Sequence, residues 1–383
     1  MKKVLLAASL LTFGMAAQAQ SSVTLYGRLD AGLEYMSGVP QGTGANGQAT
    51  GSTNRFRAES GDWGTSLWGM KGVEDIGGGN KVLFQLEGSF NTMNGTGPGG
   101  GGLFNRWATV GMSNNQFGTL LLGRELFISN GVWDFDPFGQ SNWSSASLVR
   151  GRNWPQSSNN ISYQSPKVAG FDFYGQYALS NATSWNGNGT TPQGREGGAQ
   201  ITYTNALFQI RGLYDEIRNP ANGSLYGPNL TGVNTLNTGN GVFAASREYS
   251  ALLNVFLGQF KVQAAYQAIR SSGAEGVLPG QPTTLDHEWG GVTWQATPAA
   301  ALIAAVYHVN GNNGAGNATI YTIGGSYNLS KRTLLDIQIA TTQNSKGANY
   351  GLNANNAGTA TSTDNPLPGH SQSGVYAGIQ HSF

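Results

Sequence analysis

The amino-acid sequence predicts an all-β chain, a transmembrane antiparallel β-barrel of about sixteen strands. Three observations lead there. Side-chain character alternates with a period of two from Val23 to the last residue, the connections alternate between short and long, and the chain begins with an export leader and stops on an aromatic residue.

The leader is expected over residues 1–19. Lys2 and Lys3 form a positive head, and Val4 to Ala17 is apolar apart from Ser9, Thr12 and Gly14. Ala17-Gln18-Ala19 then supplies the small-x-small pattern that signal peptidase requires, so a single mature domain runs over 20–383. A membrane-anchoring helix is the competing reading, but the apolar core is short and no stop-transfer pattern follows. Downstream, the longest apolar run is Ala299 to Tyr307. It is far below the ~18 residues of a spanning helix and suits a strand.

Composition removes several functional classes. Charged residues make up 11% of the chain, against the roughly 25% usual in soluble domains. With 21 basic and 20 acidic side chains there is no basic excess of the kind that nucleic acid demands, so no nucleic-acid partner is expected. An aromatic content of 10% with a net charge of +1 argues against disorder. The absence of cysteine excludes disulfides and thiolate metal sites.

The period-two segments come next. In Val23 to Tyr35, one face reads Val23, Leu25, Gly27, Leu29, Ala31, Leu33 and Tyr35; the other carries Tyr26, Arg28, Asp30 and Glu34. In Lys81 to Asn91, Val82, Phe84, Leu86 and Phe90 oppose Lys81, Gln85, Glu87 and Asn91. Similar segments begin near Phe104, Thr119, Asn160, Phe171, Glu196, Phe208, Arg247, Lys261, Thr284, Ala301, Asn317, Thr333 and Ser373, with one more near Thr65. The charged faces are too rich to fill a dry interior, so either they face outward or the interior is wet.

The connections favour the second option. Short turns such as Asp75 to Asn80, Asn205-Ala206 and Ser330-Lys331-Arg332 alternate with long stretches: Met36 to Gly64, Asn91 to Leu103, Leu126 to Asn159, Glu216 to Ser246 and Gln343 to Gln372. Transmembrane barrels have short turns on one side of the membrane and long loops on the other. The last segment, Ser373 to Phe383, is an amphipathic strand with a terminal aromatic ring.

With these features in place, further stretches make the chain resemble the Gram-negative general-diffusion porins. They are Gln20 to Gly27, Gly72-Val73-Glu74-Asp75-Ile76-Gly77, Phe84-Gln85-Leu86-Glu87, Phe117-Gly118-Thr119-Leu120 with Gly123-Arg124, Asp136-Pro137-Phe138-Gly139, Asn160 to Pro166, and Gly378 to Phe383. The resemblance implies a sixteen-stranded barrel, a homotrimer, and an outer-membrane setting among lipids and lipopolysaccharide. It also implies a C-terminal strand, ending at Phe383, that is read by the barrel-assembly machinery.

It implies a site as well. The third long loop, Leu126 to Asn159, folds inward, and Asp134 and Asp136 match its acidic positions. Lys71, Arg106, Arg124, Arg150 and Arg152 match the facing basic wall, with Arg28 on the polar face of the first strand. In one place the match departs: the basic residue expected at Leu67 is missing from Ser66-Leu67-Trp68-Gly69. Charges on a narrow wall lie closer to a passing ion than the ~8 Å Debye length at physiological salt. Because the basic positions outnumber the acidic ones, a passive channel with weak anion preference is expected. Some arginines have an alternative role, pairing with Glu125, Glu87 or Asp30 to hold the loop.

Other features weigh less. Trp133, Phe135, Phe138, Trp143 and Trp154 make the loop aromatic. They read either as anchors against the wall or as a stacking surface for sugars or aromatic solutes, which would make the channel substrate-specific. Asp286-His287 is the one pairing that would suit a barrel hydrolase. The four histidines are scattered without ligand spacing, so no metal and no cofactor are expected.

Overall fold

The computed structural model describes residues 22–42, 50–97, 102–148, 156–178, 195–218, 245–272, 282–353 and 364–383. The leader, Arg150, Arg152 and Trp154 lie outside them. The described strands are β1 Ser22–Gln41, β2 Gly51–Ser60, β3 Leu67–Gly77, β4 Asn80–Ser89, β5 Trp107–Asn114, β6 Gly118–Leu126, β7 Gln156–Gln164, β8 Phe171–Ala178 and β9 Arg195–Thr204. They continue with β10 Phe208–Arg218, β11 Ala245–Leu257, β12 Phe260–Ser272, β13 Thr284–Gln295, β14 Ala300–Gly311, β15 Gly316–Asn328, β16 Thr333–Asn344 and β17 Gln372–Ser382.

These seventeen strands make sixteen positions in one closed antiparallel sheet. β2 and β3 lie end to end against β1, since Ala31 pairs with Ser60 and Arg28 with Leu67. Residues 61–66 step out of the sheet between them. Closure comes from β1 and β17, with Arg28 opposite Ser382 and Ser37 opposite Ser373. Beyond the last pair, Phe383 and Gly27 exchange backbone hydrogen bonds of 3.0 and 3.1 Å. The Phe383 ring lies over Gly27, so close that a Cβ there would meet it at 2.2 Å.

The faces are reversed relative to a soluble barrel. Val23 and Leu25 are 66% and 60% exposed, while Asp30 and Glu34 on the opposite face are fully buried. Apolar side chains therefore meet the surroundings, and the polar ones line the inside. Such a surface is stable only against hydrocarbon. Within the described residues no helix is long and apolar enough to cross a membrane; the strands form the crossing wall.

Three expectations need correcting. Met36 to Gly64 is not one long loop, because β1 continues to Gln41 and β2 returns alongside it. Alternation persists there, with Phe56 outward and Arg55, Arg57 and Glu59 turned in, but glycine, serine and threonine dilute it. The connection between β14 and β15, on the long-loop side, is only residues 312–315. The interior is also not uniformly wet. Loop residues Val132, Phe135, Phe138, Trp143 and Leu148 form a dry cluster with Leu252, Ile269, Trp289, Tyr307, Ile320 and Tyr376 of the wall.

Candidate functional site

The connection between β6 and β7 folds inward. Its first part, a 3₁₀ segment at Ile128–Phe135, leans on β9 to β12. Ile128 N–H donates to Gln176 Oε1 at 2.8 Å, and Trp289 Nε1 donates to the Phe135 carbonyl at 3.0 Å. The wall makes room with glycine. A Cβ at Gly291, Gly324 or Gly374 would meet Pro137, Phe138 or Trp143 at 2.5, 3.0 and 2.8 Å. Farther along, Trp143 is fully buried, and its carbonyl accepts from Thr322 Oγ1 at 2.6 Å. Asn142 Nδ2 reaches Asp62 Oδ1 at 2.6 Å, tying the loop to the step between β2 and β3.

The two acidic loop residues have different fates. Asp134 keeps a side chain 63% exposed, with Arg211 Nη1 3.3 Å from its carboxylate. Its backbone carbonyl accepts from Asn254, Lys261 and Gln263 at 3.0, 3.3 and 3.2 Å. Asp136 is buried. It accepts from Tyr307 Oη at 2.6 Å, Phe138 N–H at 2.8 Å and Ser145 N–H at 3.2 Å. The expectation that both face the path is therefore corrected: Asp134 meets solvent, and Asp136 pins the loop.

Arg28, Lys71 and Arg106 gather on the inner face of the first strands, the side the loop leaves uncovered. Arg124 instead pairs in register with Ala108 on the face that carries the outward Leu122 and Val110, so the expectation that it joins the basic wall is corrected. Arg28 Nε donates to the Thr65 carbonyl at 2.9 Å. Lys71 is exposed, its ammonium 5.3 Å from the Tyr26 ring centroid. Arg124 bonds neutral acceptors: the Asn105 carbonyl at 2.6 Å, Ser158 Oγ at 2.5 Å and Gln156 Oε1 at 3.5 Å. Arg106 differs, because its Nε lies 2.6 Å from Glu87 Oε1. Leu67 is the register partner of Arg28, so the missing basic residue does fall on this wall. A cavity of about 330 Å³ lies beside it, lined by Ser60, Ser66, Asn91, Arg106, Asn142 and Gln156.

Sequence reasoning missed other charges. Arg55 lies 2.5 Å from Asp364 and 3.2 Å from Glu34, and Arg57 lies 2.9 Å from Glu34 and 2.5 Å from Glu59. Arg211 and Lys261 meet the loop from the opposite wall. The alternation through Arg55-Phe56-Arg57-Ala58-Glu59 is the signal that would have found the first pair. Several acids on the inner face are satisfied without a cation. Glu125 accepts from Ser162 and Tyr174 at 2.7 and 2.8 Å, and Asp30 accepts from Tyr376 and Gln380 at 3.2 and 3.0 Å.

The remaining alternatives fare differently. His287 is buried on the inner face beside Gln267, at 3.0 Å, whereas Asp286 on the outer face bonds Tyr266 and Arg270. Adjacent strand residues point to opposite faces, so the two form no dyad. Phe135, Phe138 and Trp143 are buried as anchors and offer no open stacking surface. Among the described residues, no group of three or more potential metal-ligating side chains occurs.

The model of the Gram-negative porin family matches residues 6–348. Outer membrane porin protein 32 of Delftia acidovorans is 30% identical, covering 100% of both chains. An outer membrane porin protein of Bordetella pertussis is 35% identical over 57% of this chain and 60% of its own length. Among solved structures, the anion-selective porin from Comamonas acidovorans superposes with a TM-score of 0.74 at 22% identity, over 95% of this chain and 100% of that one. A sheet closed on itself with its apolar face outward, an inward third loop and a family match along most of the sequence agree: the chain belongs to the Gram-negative porin family and is an outer-membrane protein.

Proposed function

We propose that this porin lets small hydrophilic solutes and ions diffuse passively, with a weak preference for anions. One observation supports the sign. On the uncovered wall Arg28 bonds a neutral carbonyl and Lys71 is exposed beside the Tyr26 ring, whereas Asp30, Asp136, Glu87 and Glu125 are buried. The charge an ion meets along that wall is therefore mainly positive. A several-fold preference needs only about 1 kcal/mol, which a ring of side-chain charges supplies.

The rest of the reading follows the family. Residues 1–19 direct export, and the strand ending at Phe383 is presented to the barrel-assembly machinery. Three copies assemble among outer-membrane lipids and lipopolysaccharide. The protein acts as a conduit without catalysis. Reversal potentials across a planar bilayer in a salt gradient test the proposal. Chloride over potassium by several-fold at low salt is expected, and a cation preference would overturn it.

A further inference from the structure

We propose that Arg247 on β11 and Arg270 on β12 form an outward-facing site for the phosphate of a phosphorylated lipid headgroup in the outer leaflet. The two are direct register partners. Both belong to the outer face: Tyr249 and Tyr266, two and four positions along their strands, are exposed, while Glu248 and Ile269 are buried inward. Like charges placed opposite one another on one face of a sheet repel. Here each cation has its carboxylate on the strand away from the other. Arg247 Nε lies 2.5 Å from Glu216 on β10, and Arg270 Nη2 lies 2.5 Å from Asp286 on β13. The register places no carboxylate between them. A tetrahedral phosphate has oxygens enough to accept from both forks at once and would turn that repulsion into attraction.

Height is the second, independent argument. Below the pair, the outward residues of β11 and β12 are small, apolar or aromatic, among them Leu253 and Val262, as are Ile210 of β10 and Val306 of β14. The exposed Glu288 of β13 stands beside Tyr266 near the top of that band. The band ends in a lower aromatic rank of Phe208, Phe260 and Trp294, the last two stacked at 6.0 Å. About nine residues separate that rank from the arginines, which at about 3.4 Å per residue and a tilt of about 45° is roughly 22 Å. That nearly fills the ~25 Å apolar band of an outer-membrane barrel. Tyr214 and Tyr249, with ring centroids 5.1 Å apart, form the upper rank just beneath. The arginines thus lie beyond the hydrocarbon, at headgroup level, on the side of the long connections.

The test reconstitutes the folded protein in phosphatidylcholine vesicles doped with lipid A, or with the same lipid stripped of its phosphates. The protein is then re-extracted in mild detergent and the retained lipid A is quantified by mass spectrometry. Several-fold greater retention of the phosphorylated form is expected. Arg247→Gln with Arg270→Gln should abolish the difference, while Glu216→Gln with Asp286→Asn, which keeps both cations, should preserve it. Heat-modifiable mobility shows whether each variant is folded; if the double arginine variant is not, single Arg270→Gln replaces it, with partial loss expected. Equal retention of the two lipid forms, unchanged retention in the arginine variant, or loss in the carboxylate variant overturns the proposal.

Discussion

The indole N–H of Trp143 donates to the side-chain oxygen of Asn353 at 2.9 Å, so the third long connection and the last one are fastened to each other inside the barrel. The fastening is multiple. Trp143 N–H donates to the Leu352 carbonyl at 3.0 Å, Ser147 Oγ donates to the same carbonyl, and Asn353 Nδ2 donates to Asp364 at 3.1 Å. Asp364 in turn meets Arg55 of β2. The inward loop is thus held by the wall on one side and by a second loop on the other.

Replacing Trp143 with alanine should loosen this assembly while leaving the sheet intact. Truncating a buried tryptophan removes on the order of 3–5 kcal/mol of packing. Single-channel recordings should show a larger and noisier open state at unchanged heat-modifiable mobility. A quiet conductance equal to that of the parent would contradict the anchoring role.

Asp134 and Asp136 should separate in a salt gradient. Asp134→Asn removes the exposed negative charge and should move the reversal potential further toward anions. Tyr307→Phe leaves a buried carboxylate short of one partner, a loss of about 1.5–3 kcal/mol, and should lower thermal stability with little change in selectivity. The opposite assignment of effects would refute the division.

Lys71→Gln should reduce anion preference, because that exposed ammonium lies beside the Tyr26 ring rather than against a carboxylate among the described residues. The reduction should be largest at low salt and fade near 1 M, where the Debye length shrinks to about 3 Å. A salt-independent change would point to altered pore shape instead.

Acid should release the last loop. Burial alone would raise the Asp364 carboxyl, but hydrogen bonds from Arg55 and Asn353, together with the Arg55 and Arg57 charges, outweigh it and hold the group below the ordinary range. A depressed acid contributes stability that is present above the unfolded value of about 3.9 and is lost as pH falls through the folded one. Conductance steady from pH 7 to about pH 4, changing only below, is therefore expected of this contact. Arg55→Gln should move the change to higher pH.

Deleting Phe383 removes both closing backbone bonds to Gly27 and the ring above it. The yield of folded barrel should fall severalfold by heat-modifiable electrophoresis, and normal yield would contradict the closing role. Gly27→Val should impair assembly similarly, since the new side chain and the ring cannot share the space.

The strands were legible because period-two alternation survives wherever one face is uniformly apolar; Ser22, Phe171, Phe208, Thr284 and Thr333 start where the pattern does. The β1–β2 hairpin was not, because small polar residues around Arg55 and Arg57 look like turn chemistry. The difference between Asp134 and Asp136 was equally hidden. It depends on Tyr307, which is distant along the chain, and local sequence carries no trace of such a partner. Grouping Arg28, Lys71 and Arg106 on one side required only the order of the motifs, whereas the outward turn of Arg124 follows from its pairing with Ala108.

An interior divided into a packed half and a hydrated half has an evolutionary corollary. Where side chains face solvent, as around Lys71, water can stand in for any partner a substitution removes. Descendants can therefore retune which solutes they admit at that wall without endangering the architecture. Across the lumen, around Trp143 and Tyr307, every change must be matched by a neighbour, so adaptation is free to wander on one bank and confined on the other.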